Sequence, residues 1–271
     1  MIDTMRIGRI GYINCAPVYG AIDRGIVALP PGGELVTGTP AELNDLLVAG
    51  ELDVSVISAI EYARHAEELV LLSDLAISCD GPVRSVALFS KRAVERLGGS
   101  TVLLSASSRT SVALLELLCR EVWHIKPQFA EARAEAQDLA ALASLPHEAV
   151  LVIGDAALKL AAAGSYAHRY DLGDEWKRWT TKPFVFAVWA ATRVASPAAV
   201  RRGHGALLAS RAWGLSHLDE IARETARVTA LPVDTCREYL SGLDYAFTDT
   251  HRAALGDFLR RVGVPQFMQV A

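Results

Sequence analysis

The sequence predicts an α/β protein made of two mainly parallel-sheet units in series, with a helical tail. Three observations carry that expectation. Short β-rich runs alternate with helical patterns, the alternation occurs twice, and past residue 189 the strand signal stops while helical periodicity continues. In the first unit, residues 5–11, 34–37 and 54–57 read as strands, with helices at 17–24, 40–49 and from about Ala59. An extended run, 69–78, leads to a second unit opened by the strand 83–90. Its further strands are 102–105, 128–131 and 150–153, and its helices 110–123, 135–143 and 155–163. A strand at 184–189 precedes the tail, where 197–228, 233–241 and 248–262 carry helical spacing. No Pro/Gly-rich linker separates the units, so the sequence predicts two lobes facing each other across a ligand cleft.

Composition narrows the function. With 271 residues, 51% of them apolar, the chain can bury roughly three quarters of its unfolded surface and needs no disulfide or metal to fold. Lys and Arg total 27 against 31 Asp and Glu, a net charge of −4, and no basic block occurs, which argues against a nucleic-acid partner. Apolar runs such as 149–153 and 184–191 fall far short of the roughly 20 residues a membrane helix needs, so no membrane partner is expected. Residues 1–7 lack the pattern of a secretory signal, which predicts a cytoplasmic protein. Cys15, Cys79, Cys119 and Cys236 lie far apart without a C-x-x-C pair and are expected as reduced thiols. No zinc-protease, P-loop or dinucleotide motif occurs, so neither metal nor cofactor is expected, and the partner is a small-molecule substrate.

In open α/β sheets, ligands bind outside the carboxyl ends of the strands, where helix N-termini present free N–H groups. Four such ends are polar. The first strand leads into Gly11-Tyr12-Ile13-Asn14-Cys15-Ala16-Pro17, where Asn14 is either a cap or a binding group and Cys15 reads as a buried thiol. Ser58 sits where the third strand hands over to a helix. Ser107, Ser108, Thr110 and Ser111 precede the apolar helix of the second unit, and a cap explains only one of them, so this is the best anion site. Asp155, after Ile153-Gly154, is either an N-cap or a cleft acid. His168, Asp171, Asp174 and Glu175 read as solvated charge in a polar loop. Thr39-Pro40-Ala41-Glu42 is a capping box, and Trp176, Trp179, Phe184, Phe186 and Trp189 read as core.

At Gly11-Tyr12-Ile13-Asn14-x-x-Pro17 the chain begins to resemble the menaquinone-biosynthesis enzymes of the futalosine route. The resemblance continues through Arg84-Ser85-Val86-x-x-x-Ser90-Lys91, Ser108-Arg109-Thr110-Ser111 and Ile153-Gly154-Asp155-x-Ala157-Leu158. It extends over Asp171-Leu172-Gly173, Trp176, Pro183-Phe184-Val185-Phe186-Ala187 and Tyr239-Leu240-x-x-Leu243-x-Tyr245. These motifs look like the chorismate dehydratase branch and span nearly the whole chain. The sibling dihydroxynaphthoate synthase typically has His-Glu where this chain has Gly154-Asp155. One departure is Thr181-Lys182 before Pro183, where the family pattern has Gly-Leu.

The resemblance implies a two-lobed, type II periplasmic-binding-protein-like fold. One lobe would comprise residues 1–84 and 188–271, the other 85–187. It implies dehydration of chorismate to 3-[(1-carboxyvinyl)oxy]benzoate without a cofactor, with Asn14 and Ser85 at the chemistry and Tyr12, Ser58, Ser108, Thr110, Ser111 and Asp155 binding substrate. The proton acceptor is either the substrate's own carboxylate, Asp155, or a water held by Asn14. A solute-binding protein with the same fold is the alternative from a different class.

Overall fold

A computed structural model describes residues 5–264, so the first four residues of the stretch read for a secretion signal lie outside the described residues. The chain divides into two compact units, one running up to Ser78 and resuming at Val185, the other Cys79–Phe184.

The first unit is built on strands β1 (Met5–Ile10), β2 (Gly33–Gly38), β3 (Val54–Ser58), β4 (Leu69–Cys79) and β10 (Phe184–Thr192), in the order β2-β1-β3-β10-β4. Strands β1, β2 and β3 are parallel, linked by α1 (Ala16–Asp23) and α2 (Pro40–Val48), and α3 (Ala59–Arg64) follows β3. The capping box forms as its sequence predicts: Thr39 accepts the Glu42 N–H, and the Glu42 carboxylate accepts the Thr39 N–H at 2.8 Å. The tail folds as α8 (Pro197–Ser216), α9 (Leu218–Thr229), α10 (Val233–Ser241) and α11 (Asp249–Val262).

In the second unit the strands β5 (Val86–Ser90), β6 (Thr101–Ser105), β7 (Gln128–Ala132), β8 (Ala149–Ile153) and β9 (His168–Asp171) are ordered β7-β6-β8-β5-β9. Its helices are α4 (Arg109–Glu121), the short α5 (Leu139–Ser144), α6 (Gly154–Ala163) and α7 (Leu172–Thr180). Both sheets are mixed. Strand β10 runs antiparallel to β3, and β5 runs antiparallel to both β8 and β9. Neither β5 nor β10 enters its sheet through a βα crossover, which is what makes neighbours parallel.

The polar loop expected around residues 168–175 is a strand and a helix instead. Four residues of edge strand show no readable alternation, and Asp171 caps α7, accepting the N–H groups of Gly173 and Asp174. Past this helix, Thr181 adopts φ 63°, the left-handed geometry that glycine favours, at the position where the family pattern has Gly. Helix α5 is shorter than expected, because its first turn is taken up by an irregular segment in which the Glu135 N–H binds the Asp138 carboxylate.

Helix α8 packs so tightly on α1 that a Cβ at Gly214 would collide with the Pro17 carbonyl, which is backbone and cannot yield. Gly205, on the exposed face of the same helix, has nothing within 4 Å of its added Cβ. Gly214→Ala should therefore cost about 1–3 kcal/mol through overpacking, while Gly205→Ala should stabilise by about 0.5–1 kcal/mol. Urea unfolding of both variants checks the pair, and equal effects would contradict the packing.

Candidate active site

In the first unit the polar residues collect where β1 and β3 end. The chain leaves β1 through Gly11 and enters a 3₁₀ turn, Ile13–Cys15, that leads into α1 with Pro17 near its start. Asn14 caps nothing: neither the turn nor α1 has a side-chain cap, and the buried Asn14 Oδ1 accepts no hydrogen bond among the described residues. Cys15 is buried and in no disulfide. Behind the turn, the buried Tyr19 hydroxyl donates to the Gly8 carbonyl at 2.8 Å and accepts from Trp189 Nε1 at 3.0 Å. These bonds tie α1 to the sheet, and burial pushes the Tyr19 phenol far above its ordinary range. Tyr12 borders a crevice of about 160 Å³ lined also by Arg9, Tyr19, Asp23, Arg24 and Glu224, a group that includes neither Asn14 nor Ser58.

Ser58 is buried at the junction of β3 and α3 without capping α3. The buried Asn44 of α2 holds it at two points: the Ser58 N–H donates to Asn44 Oδ1 at 3.1 Å, and Asn44 Nδ2 donates to Ser58 Oγ at 3.3 Å. A hydroxyl that accepts in this way keeps its own proton to donate. Asn44 lies in a helix that reads as purely structural, so its part in the site was not visible in the sequence.

In the second unit, strand direction does the assembling. Strands β6 and β8 are parallel, so α4 and α6 both begin at the same end of the sheet. Strand β5 is antiparallel to β8 with Val86 opposite Ile153, which sets Ser85 beside the start of α6, and the Gly154 N–H donates to the Ser85 carbonyl at 2.7 Å. Asp155 is not an N-cap. Helix α6 is preceded by Ile153 without a side-chain cap, and Asp155 stands half-buried in its first turn, where the helix dipole favours a carboxylate.

At α4, Ser108 is the N-cap. Its oxygen accepts the Ser111 N–H at 3.3 Å and its hydroxyl donates to Ser111 Oγ at 2.7 Å. Ser107 donates to the Glu135 carboxylate at 2.5 Å, so two hydroxyls of the cluster serve the loop itself. Thr110 and Ser111 are buried in the first turn.

Asp171 is neither exposed nor free. Its carboxylate accepts from Val83 N and Arg84 N at 3.0 and 2.6 Å, besides Gly173 N and Asp174 N at 3.0 and 3.2 Å. Burial pushes its pKa up, against the pull of these N–H groups and of Arg169. Among the described residues, no group of three or more His, Cys, Asp or Glu side chains could hold a metal ion, and no helix is long and apolar enough to cross a membrane.

The pattern of the menaquinone biosynthesis family matches residues 5–263 of the chain. The chain belongs to this family. A chorismate dehydratase from Thermus thermophilus is 33% identical to it over 96% of this chain and 95% of that protein. Among solved structures, an Archaeoglobus fulgidus protein superposes with a TM-score of 0.77 at 20% identity, covering 96% of this chain and 97% of its own. A Candida albicans protein with the generic periplasmic-binding-protein fold superposes with a TM-score of 0.72 at 12% identity, covering 96% of this chain and 90% of its own. The alkanesulfonate-binding protein of Xanthomonas axonopodis pv. citri, bound to MOPS, does so at 0.65 and 16% identity, covering 98% and 96%. These likenesses establish a periplasmic-binding-protein-like fold for this member of the menaquinone biosynthesis family.

Because Ser108 is an N-cap, Ser108→Ala should destabilise the family member by about 1 kcal/mol whether or not substrate is present. Denaturant melts with and without ligand check this, and an unchanged midpoint would remove the cap assignment.

Proposed function

We propose that the protein is a chorismate dehydratase, a hydro-lyase that converts chorismate to 3-[(1-carboxyvinyl)oxy]benzoate and water in menaquinone biosynthesis by the futalosine route. The observation that carries this reading is the Thermus thermophilus chorismate dehydratase, matched at 33% identity along nearly the full length of both chains. Four buried cysteines, none of them in a disulfide, support a reducing, cytoplasmic location as part of the proposal.

The reaction removes the proton from the ring carbon that bears the ether and expels the neighbouring hydroxyl, so that a C–H and a C–O bond break and one water forms. Aromatisation supplies the driving force, and the protein has to orient the substrate and move one proton. Asn14 and Ser85 are assigned to the enolpyruvyl carboxylate, which acts as the base. Neutral donors orient a carboxylate without depressing its basicity as an arginine would. The unpartnered Oδ1 of Asn14 supports the assignment, because a carboxamide can donate through Nδ2 to a carboxylate while Oδ1 accepts from a ring hydroxyl. The ring carboxylate is assigned to the start of α4, with Thr110 and Ser111 and the adjoining N–H groups, and to the Ser58 hydroxyl that Asn44 orients. Ser108 contributes by capping that helix, and Tyr12 and Asp155 complete the substrate-binding set.

Incubating the pure protein with chorismate and resolving the products by chromatography tests the reading. The enolpyruvyl benzoate should form, and at an undiminished rate after exhaustive chelation. Chorismate recovered unchanged would favour a solute-binding protein, and activity restored only by a divalent ion would overturn the cofactor-free mechanism.

Two substitutions test the base. Asn14→Asp nearly preserves shape but sets a negative charge against a dianion, so turnover should fall by a factor of about 10² or more. Asp155→Asn should keep appreciable turnover. A folded but inactive Asp155→Asn protein together with normal Asn14→Asp kinetics would make Asp155 the base instead.

A further inference from the structure

We propose that Asp171 is a positioning residue for the reaction, holding the Val83–Ser85 turn in the geometry that presents the Ser85 hydroxyl to substrate. This inference rests on the dehydratase reading and on the assignment of Ser85 to it.

The turn that carries Ser85 is held largely from outside itself. Arg84 has φ 65°, left-handed backbone that a non-glycine residue adopts only when its surroundings impose it. Here both of its backbone groups are pinned from β9: the Arg84 N–H donates to Asp171 Oδ2 at 2.6 Å, and the Arg84 carbonyl accepts from the Arg169 guanidinium at 2.8 Å. Asp171 Oδ1 takes the Val83 N–H as well, at 3.0 Å, and the Ser85 N–H closes back on the Val83 carbonyl at 2.8 Å. Helix α7 presses on the same segment, since a Cβ at Gly173 would lie 2.6 Å from Cys79 Sγ and 2.7 Å from the Gly81 carbonyl. The next residue after the pinned pair is Ser85, whose carbonyl accepts from Gly154 at the start of α6. One half-buried carboxylate thereby sets the entry angle of β5 and where the Ser85 hydroxyl just before it points.

Capping and positioning are separable. A serine at position 171 can still cap α7, as serine does at many helix starts, but is one carbon and one oxygen short of gripping residues 83 and 84 as well. Asp171→Ser should lower kcat about tenfold or more with a smaller change in KM, while the fold persists. The decisive measurement is a double-mutant cycle with Ser85→Ala. If Asp171 acts through Ser85, adding Asp171→Ser to Ser85→Ala should cost less than about twofold further. Full additivity would overturn the proposal. Amide hydrogen exchange supplies a readout without turnover: Val83 and Arg84 should lose protection in Asp171→Ser while Gly173 and Asp174 keep theirs. Loss of protection at all four, or at none, would also overturn it. Should Asp171→Ser fail to fold, Asp171→Asn, another good cap that replaces one acceptor by a donor, takes its place in both measurements. A wild-type protein that leaves chorismate untouched would sink the dehydratase reading itself, and this is a separate result from an active wild type with an additive cycle.

Discussion

A strand buried on both faces carries polar groups at its ends, or inside only where the local backbone satisfies them, and this constraint organises both sheets. Strands β3, β5 and β8 are buried at every residue, so their interiors are apolar or, as with Ser55, hydrogen-bonded at once to the local backbone. Ladder hydrogen bonds satisfy the backbone inside the sheets, while the helices that follow the strands start with unsatisfied N–H groups. Polar groups are thereby gathered at strand ends: the turn after β1, Ser58 after β3, the start of α4 after β6 and the start of α6 after β8.

Each of these ends needs something to hold it, and the two units solve the problem alike. In each, an Asn or Asp from a separate element reaches the backbone at or beside a strand-end serine. Asn44 grips Ser58 through its N–H and its oxygen, and Asp171 grips the two residues before Ser85. Leaving such buried groups unpaired costs about 1–3 kcal/mol each, so these contacts act on stability and on geometry together. The Asn14 carboxamide stays uncommitted at Oδ1 among the described residues.

That division of labour suits the proposed reaction. Dehydration of chorismate needs little acid–base power from the protein, because the substrate brings both a carboxylate and a ring ready to become aromatic. What the protein must supply is orientation by neutral donors placed without freedom to move. The groups assigned to that reaction in the proposal are accordingly mainly hydroxyls, carboxamides and helix N-termini. The Asp171 carboxylate spends four hydrogen bonds on the protein's own backbone.

The sequence by itself determined the alternation of strands and helices, the helical tail, the capping box at Thr39 and the polar strand ends, because each follows from periodicity or from contacts a few residues long. The resemblance of motifs from Gly11 to Tyr245 likewise pointed to the family. Only the tertiary structure decided that β5 and β10 run antiparallel, that Asn14 is no cap, that Ser108 is one, and that Asp171 is half-buried and bound to backbone N–H groups rather than solvated. The reason is distance along the chain. Val83 finds Asp171 88 residues away, and Ser58 finds Asn44 on a helix that looks purely structural. A short polar stretch such as His168-Arg169-Tyr170-Asp171 has the same local pattern as an exposed loop. What makes it a strand and a brace is the partner it meets, and no local pattern in the sequence encodes that partner.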